Sequence, residues 1–263
     1  MINYNLKGKV VLVTGAGQGI GKAAAIAVAK SGANVILCGR TYSKVEKAAE
    51  EVESWGVQAL PISMDISKVD EVYAAVEKGV ERFGHIDALL NSAGIWKPRN
   101  IIDMTPDFWD EIIGINLRGA TFMASAVAKQ MVEKKIPGSI ILVSSQAAKM
   151  GEYGNSAYGS AKNALHTLTQ CMALELAEYN INTVAIYPGS INTEMIRDVI
   201  ATRSADCGMN PDEYERKVMC SKIPMDRLGK PEEVGNLMAW LISEDAHYIT
   251  GVTLTIAGGQ TII

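Results

Sequence analysis

Short apolar runs rich in β-branched residues recur along the chain at residues 9–14, 34–38, 58–63, 86–90, 139–143, 181–187 and 252–256. Between them lie longer stretches in which apolar residues return every three or four positions, the period of a helix packed on one side. The short runs are nearly continuous in apolar character, as strands must be when helices cover both faces of their sheet. Strands alternating with helices predict right-handed βαβ units, and hence an α/β fold built on a doubly wound parallel sheet. A single domain over residues 1–263 accommodates the whole pattern, since α/β chains of this length commonly share one core.

Two features depart from plain alternation. Helical patterns over 105–132 and 156–179 carry apolar residues on more than one face, among them Phe122, Met123, Val127, Leu168, Cys171, Met172 and Leu176. A helix apolar on too many sides for its own sheet to cover needs a second surface. The stretch 190–225 is a long excursion between a strand and the next helix, far beyond the median connection of about 4–6 residues. Its apolar residues Met195, Ile196, Val199, Tyr214 and Val218 argue against disorder. The first three recur at helical spacing and predict a short amphipathic helix in a substrate lid; a permanently packed helical hairpin is the competing reading.

Composition narrows the partners. A net charge of −4 with no basic stripe argues against nucleic acid. No apolar run reaches the length of a membrane span and residues 1–9 lack the apolar stretch of a signal peptide, so the expectation is a cytoplasmic protein with a small-molecule ligand and no membrane partner. Cys38 and Cys171 sit in apolar runs and read as small core fillers, whereas Cys207 and Cys220 lie in a polar segment and read as free thiols. His85, His166 and His247 are too dispersed to predict a metal site.

The candidate chemistry begins at the first strand. It runs into Gly15-Ala16-Gly17-Gln18-Gly19-Ile20-Gly21, and a helical pattern follows at once. Glycine suits such a strand-to-helix turn because a Cβ would block the turn or the approach of a pyrophosphate to the helix N-terminus, where free N–H groups favour anions. Further along, Tyr158 is the only one of nine tyrosines with a lysine one helical turn on, Lys162, and Ser145 lies upstream of both. Positions i and i+4 share a helix face. The Lys162 ammonium is thereby placed to stabilise a Tyr158 phenolate and draw its pKa down from about 10, which makes an acid/base for an alcohol or carbonyl.

Taken in order, Thr14-Gly15-x-x-x-Gly19-x-Gly21, Asn91-Ser92-Ala93-Gly94, Asn116, Ser145, Tyr158-x-x-x-Lys162 and Pro188-Gly189 resemble the short-chain dehydrogenases/reductases over nearly the whole chain. The resemblance implies a Rossmann domain with a seven-stranded parallel sheet in the order 3-2-1-4-5-6-7 and a nicotinamide cofactor over its carboxyl edge. It implies a catalytic set of Asn116, Ser145, Tyr158 and Lys162: Tyr158 moves the proton, Ser145 bonds the substrate oxygen, and Asn116 holds a water that links Lys162 to solvent. The cofactor would lie against Gly15, Gln18, Gly19, Ile20 and Gly21, with Asp65 and Ile66 at the adenine and Asn91, Ala93 and Gly94 at the ribose. Tyr158, Lys162, Pro188, Gly189, Ile191 and Thr193 would complete the nicotinamide end, and Trp96, Ser145, Gln146, Tyr153, Tyr158, Tyr187 and Met195 would shape the substrate pocket. Two departures are visible: Ser92 replaces the usual second asparagine of Asn-Asn-Ala-Gly, and Ala257 replaces the acid before Gly258-Gly259. The family also commonly pairs its two long helices across a two-fold axis, which turns the multi-faced helices into an expected homotetramer.

The second strand ends Gly39-Arg40-Thr41 with no acid until Glu46. NAD sites place a carboxylate near the ribose 2′-hydroxyl, while NADP sites use an arginine. Arg40, assisted by Thr41 or Lys44, therefore predicts NADP(H) over NAD(H), although Gln18 stands where NADP-preferring relatives often carry a base. The stretch Ser145-Gln146-Ala147-Ala148 and the long lid look similar to polyol, sugar-phosphate and acetoin/butanediol dehydrogenases, so the expected substrate is a small polyol, sugar or diol. Lys97 and Arg99 leave an anionic substrate and a solvated loop both open. A 3-oxoacyl-thioester reductase is the enzymatic alternative, and a dinucleotide-binding redox sensor or structural subunit is the alternative from another class.

Overall fold

The computed structural model describes residues 4–261. Seven strands, β1 (Val10–Thr14), β2 (Asn34–Gly39), β3 (Ala59–Ser63), β4 (Ala88–Asn91), β5 (Gly138–Val143), β6 (Ile181–Pro188) and β7 (Val252–Ile256), form one sheet in the order 3-2-1-4-5-6-7. Every neighbouring pair is parallel. Between them run α1 (Gly19–Lys30), α2 (Tyr42–Glu53), α3 (Val69–Phe83), α4 (Pro106–Ile113), α5 (Ala120–Lys134), α6 (Ser156–Leu176), α7 (Glu194–Asp206), α8 (Pro211–Tyr214) and α9 (Pro231–Leu241). The fold is thus the doubly wound parallel sheet that the strand pattern predicts, in the Rossmann order that the resemblance implies. Strand order reverses between β1 and β4, and a crevice opens there over the carboxyl ends of the strands.

Side chains from the two faces of the sheet build two cores. Val11, Val13, Val35 and Leu37 pack under α1, α2 and α9, and Leu12, Ile36, Leu89, Ile140 and Leu142 pack under α3, α5 and α6. The closest helix contact joins α1 to α9, where a Cβ on Gly235 would come within 2.7 Å of the Ala23 backbone. Small residues on both sides let the two backbones meet. A third, separate cluster of Ile200, Tyr214, Cys220, Ile223 and Leu228 lies wholly between α7 and the start of α9. The excursion after β6 therefore folds around its own apolar centre.

Three local expectations need correction. The stretch 105–132 is not one uninterrupted α-helix: α4 and α5 are joined by a π-helical segment, Gly114–Gly119, centred on Asn116. Cys171 faces solvent rather than filling the core, because α6 meets the sheet through Leu165, Thr169 and Met172; Cys220 is a free thiol as expected, buried in the separate cluster after β6. The fourth strand begins at Ala88 rather than 86, although the Asp87 backbone already joins its neighbours, its N–H donating to the Val10 carbonyl at 2.8 Å and its carbonyl accepting from the Ser139 N–H at 3.1 Å. Among the described residues no helix is long and apolar enough to cross a membrane, and no cluster of His, Cys, Asp and Glu is placed to hold a metal ion.

Candidate active site

The crevice holds a cleft of about 680 Å³ that runs from the β1–α1 turn, past the ends of β4, β5 and β6, to α7. Its floor is set by packing without side chains. A Cβ on Gly21 would lie 2.3 Å from the Gly15 carbonyl oxygen, and one on Gly15, at φ +66°, would meet the Ala93 backbone at 3.0 Å. Thr14 ties the two turns together: its hydroxyl donates to Asn91 Oδ1 at 2.8 Å and accepts from the Ser92 and Ala93 N–H groups at 3.1 and 3.0 Å. At the N-terminus of α1 the cap residue Gln18 makes no side-chain cap bond and the first turn contains no acid. The N–H groups of Gly19, Ile20 and Gly21 are left to an outside acceptor, a cradle that fits a pyrophosphate.

Most of the expected cofactor contacts converge on this cleft. Gly15, Gln18, Gly19, Ile20, Arg40, Thr41, Asp65, Ile66, Ala93, Gly94, Tyr158, Lys162, Pro188, Gly189, Ile191 and Thr193 line it. Gly21 and Asn91 stand behind the wall, as the turn and strand geometry above requires. Arg40 is exposed on the rim, and its charge acts on Asp65. Partial burial pushes the Asp65 carboxyl up, but bonds from Ser67 and the charges of Arg40 and Lys68 outweigh it and hold the group below its ordinary value. Lys44 reaches across to Gln18 at 2.5 Å and to Glu194, in the first turn of α7, at 3.0 Å. Thr193 caps α7 by accepting the Ile196 N–H.

At the far end of the cleft, α6 is fastened to the end of β5. Lys162 Nζ donates to the Val143 carbonyl at 2.9 Å, Ser144 Oγ donates to the Lys162 carbonyl at 2.6 Å, and Asn163 donates to the Ala148 carbonyl at 2.7 Å. This places Ser145, Tyr158 and Lys162 on one wall, with Ser145 hydrogen-bonded to the Tyr158 phenol. Lys162 Nζ lies 5.8 Å from the Tyr158 ring centre. The downward pull of Lys162 on Tyr158 does not dominate in this state: burial pushes the phenol up to about 12, against the Ser145 bond that lowers it and with the Glu152 charge adding to the rise. Burial likewise brings Lys162 down to about 8.

Asn116 is fully buried and does not line the cleft. Its side chain accepts from Ile95 N–H at 3.2 Å and donates to the Ile95 and Ile112 carbonyls at 3.1 and 3.0 Å, so the amide joins the β4 extension to the π-segment. Of the substrate candidates, Trp96, Ser145, Gln146, Tyr153, Tyr158 and Met195 line the cleft. Tyr187 does not: it lies near His166 and under the Lys149 ammonium. Lys97 pairs with Glu111 at 2.6 Å and Arg99 stacks on Phe108, so both are spent on the loop surface. Glu152 and Asn155, which also line the cleft, escape the sequence reading because no spacing rule singles out a loop carboxylate and an amide before a helix.

The turn, the crevice and the tyrosine–lysine wall together define a nicotinamide-dependent oxidoreductase. Comparison with known proteins gives the family. The short chain dehydrogenase family matches residues 9–204. L-rhamnose 1-dehydrogenase (NAD(P)(+)) of Sphingomonas sp. is 35% identical over 98% of this chain and 98% of its own length. The 3-oxoacyl-acyl-carrier-protein reductase of Thermotoga maritima is 34% identical over 98% of this chain and 99% of its own. A crystal structure of an actinorhodin polyketide ketoreductase with NADPH superimposes with a TM-score of 0.93 at 28% identity, covering 100% of both chains. The chain belongs to the short-chain dehydrogenase/reductase family. It is an oxidoreductase of alcohol and carbonyl groups that binds a nicotinamide dinucleotide.

Burial of Lys162 makes unliganded stability depend on pH. Its folded value near 8 lies below the ordinary 10.5, so the unfolded chain binds the extra proton between the two; the contribution is present above 10.5 and is lost as pH falls through 8. Tyr158, raised to about 12 from 10.0, contributes below 10 and loses its share as pH rises through 12. Calorimetry without cofactor is expected to show stability climbing between about pH 8 and 10, on the order of 2–3 kcal/mol, and Lys162→Met should flatten the climb. An unchanged slope in the variant would show that Lys162 is not its source.

Proposed function

We propose that the protein is an NADP(H)-dependent dehydrogenase/reductase of small polyols, sugars or diols. The observation that carries the reading is the Ser145–Tyr158–Lys162 wall at one end of a cleft whose other end is a helix N-terminus free to take a pyrophosphate. Arg40, Thr41 and Lys44 at the cleft rim support NADP(H), because no carboxylate stands at the end of β2 to bind a ribose 2′-hydroxyl. When bound, the nicotinamide supplies or accepts the hydride. The chain does the rest. Ser145 holds the substrate oxygen, Tyr158 Oη takes the hydroxyl proton in oxidation and returns it in reduction, and the Lys162 ammonium stabilises the phenolate. Asn116 keeps the Ile95 segment in place and, close to Lys162 beside Gly94, holds the water that links Lys162 to solvent.

A panel of polyols, diols, hydroxysteroids and oxoacyl thioesters, followed at the NADPH absorbance band with each cofactor, tests the reading. Highest kcat/KM for an oxoacyl thioester would replace it with the reductase activity of the Thermotoga maritima relative. Arg40→Ala is expected to weaken NADPH by at least about tenfold more than NADH, as loss of a charge-assisted bond worth about 1.5–3 kcal/mol requires. Equal losses in fluorescence titrations would remove Arg40 as the 2′-phosphate reader.

The reading extends to residues 190–225 as a substrate lid and to a homotetramer. The lid is supported by its separate apolar core and by Met195, Ile196 and Val199 on the cleft. The tetramer is supported by Leu174, 84% exposed on the outer side of α6. One hydrogen-exchange series checks both: residues 190–225 should gain protection when NADPH and a substrate analogue bind, and α6 should be more protected at micromolar concentration than at high dilution. Protection of the lid that is already high and insensitive to ligand would make it a fixed hairpin, and a dilution-independent α6 would make the protein a monomer.

A further inference from the structure

Beside Ser145 the cleft carries a hydrogen-bonded relay whose polarity is fixed at both ends. Trp96 Nε1 donates to Asn155 Oδ1 at 2.8 Å, Asn155 Nδ2 donates to Glu152 Oε2 at 2.6 Å, and Gln146 Nε2 donates to Glu152 Oε1 at 3.2 Å. An indole is a donor only and an ionised carboxylate an acceptor only, so both amides are oriented unambiguously. If either were turned around, an oxygen would face an oxygen or a donor would face a donor. The consequence falls on Gln146. Its Oε1 is the one buried side-chain N or O atom among the described residues left without a partner.

An unmet buried acceptor is an uncommon feature that asks for an explanation. This oxygen is shielded from water, so it is satisfied only by a donor that a ligand brings and that the side chain turns to meet. Gln146 follows Ser145 directly in the chain, and the Glu152 charge is felt at Tyr158, so relay and reacting oxygen share one end of the cleft. Each Glu152 oxygen accepts one of these bonds and retains capacity for another. The wall therefore offers acceptors and a negative charge, with one N–H of each amide committed to Glu152. The lid cation Arg203, which also lines the cleft, is itself engaged with the Tyr153 carbonyl at 2.8 Å.

We infer that Gln146 and Glu152 select substrates bearing a hydroxyl on the carbon next to the reacting one, vicinal diols in one direction and α-hydroxy ketones in the other. The inference rests on the alcohol-oxidising reading above and deepens it by naming the functional group recognised. A neighbouring carboxylate or phosphate meets the Glu152 charge and an unmet acceptor and is disfavoured. Trp96 and Asn155 are positioning residues, since they hold Glu152 and do not reach the substrate in this scheme.

Matched pairs test it directly: butane-2,3-diol against butan-2-ol, and cyclohexane-1,2-diol against cyclohexanol. The wild-type protein should prefer each diol by about tenfold or more in kcat/KM, because a site built to bond a hydroxyl rejects the analogue that lacks it. Gln146→Leu and Glu152→Gln, acting from two points of the relay, should each reduce that preference about tenfold, mainly through KM of the diol. A merely structural role would depress both members of a pair alike. Equal wild-type rates within each pair, or a diol preference kept in both variants, would overturn the inference and leave the dehydrogenase reading standing. Failure of the whole alcohol panel, with turnover of oxoacyl thioesters alone, would overturn both.

Discussion

Tyr158→Phe is expected to lower turnover by about 10²–10⁴-fold, the usual worth of a positioned acid/base, while dinucleotide affinity stays within about a few-fold. The asymmetry follows from what the substitution removes. The ring is 8% exposed and packs with Ile112 and Ala157, with Ile95, Trp96 and Ala147 against them, so phenylalanine keeps the shape. The hydroxyl is lost, and with it the proton carrier and the partner of Ser145. The glycine turn, the α1 N-terminus and Arg40 are untouched. Steady-state turnover and fluorescence titration of the same preparation check both halves; turnover near the wild-type level would refute proton transfer through Tyr158.

Gly21→Ala is expected to have the second largest effect, weakening dinucleotide binding by at least about tenfold and lowering stability by about 1–3 kcal/mol, the range for forcing extra volume into a packed site. The added methyl would sit 2.3 Å from the Gly15 carbonyl oxygen and 3.0 Å from that of Thr14, both backbone atoms of the turn itself. Neither can yield without moving α1 away from β1, which displaces the N–H groups that await the pyrophosphate. Gly114→Ala makes the contrast, because nothing lies within 4 Å of its added methyl and its backbone is already helical. Melting curves and NADPH titrations that rank the two variants equally would show that backbone crowding does not govern the site.

These two positions were legible in the sequence because their chemistry is local. A glycine between a strand and a helix, and a tyrosine one turn before a lysine, carry their reasons within a few residues. The strands were legible too, since their uniform apolar character reflects cover on both faces. What escaped depends on contacts distant in sequence. The π-segment at Asn116 answers to Ile95, 21 positions away, and no periodicity announces it. Tyr187 packs near His166 and Lys149 instead of lining the cleft, a placement that its neighbours in the chain do not reveal. Glu152 owes its place to Gln146, Asn155 and, through the latter, to Trp96, 59 residues from Asn155. The expected lowering of the Tyr158 pKa failed for a different reason: helical spacing places a charge nearby but says nothing of burial, which is the larger influence in the unliganded state.

The bare contact between α1 and α9 bears on how the protein is made. The partners, Ala23 and Gly235, are separated by about 200 residues of chain, and most of the sheet is synthesised between them. The glycine turn leaves the ribosome early, yet the alanine face of the helix that follows it stays uncovered until α9 has emerged. A nascent chain can therefore assemble β1 to β6 and still lack a finished α1, and loop-closure entropy over so long a span delays the last docking. Chains that stop short of α9 expose a flat apolar strip, the kind of surface on which incomplete molecules associate with one another. The nucleotide-binding turn is thus among the first parts of this protein to be translated and among the last to be secured.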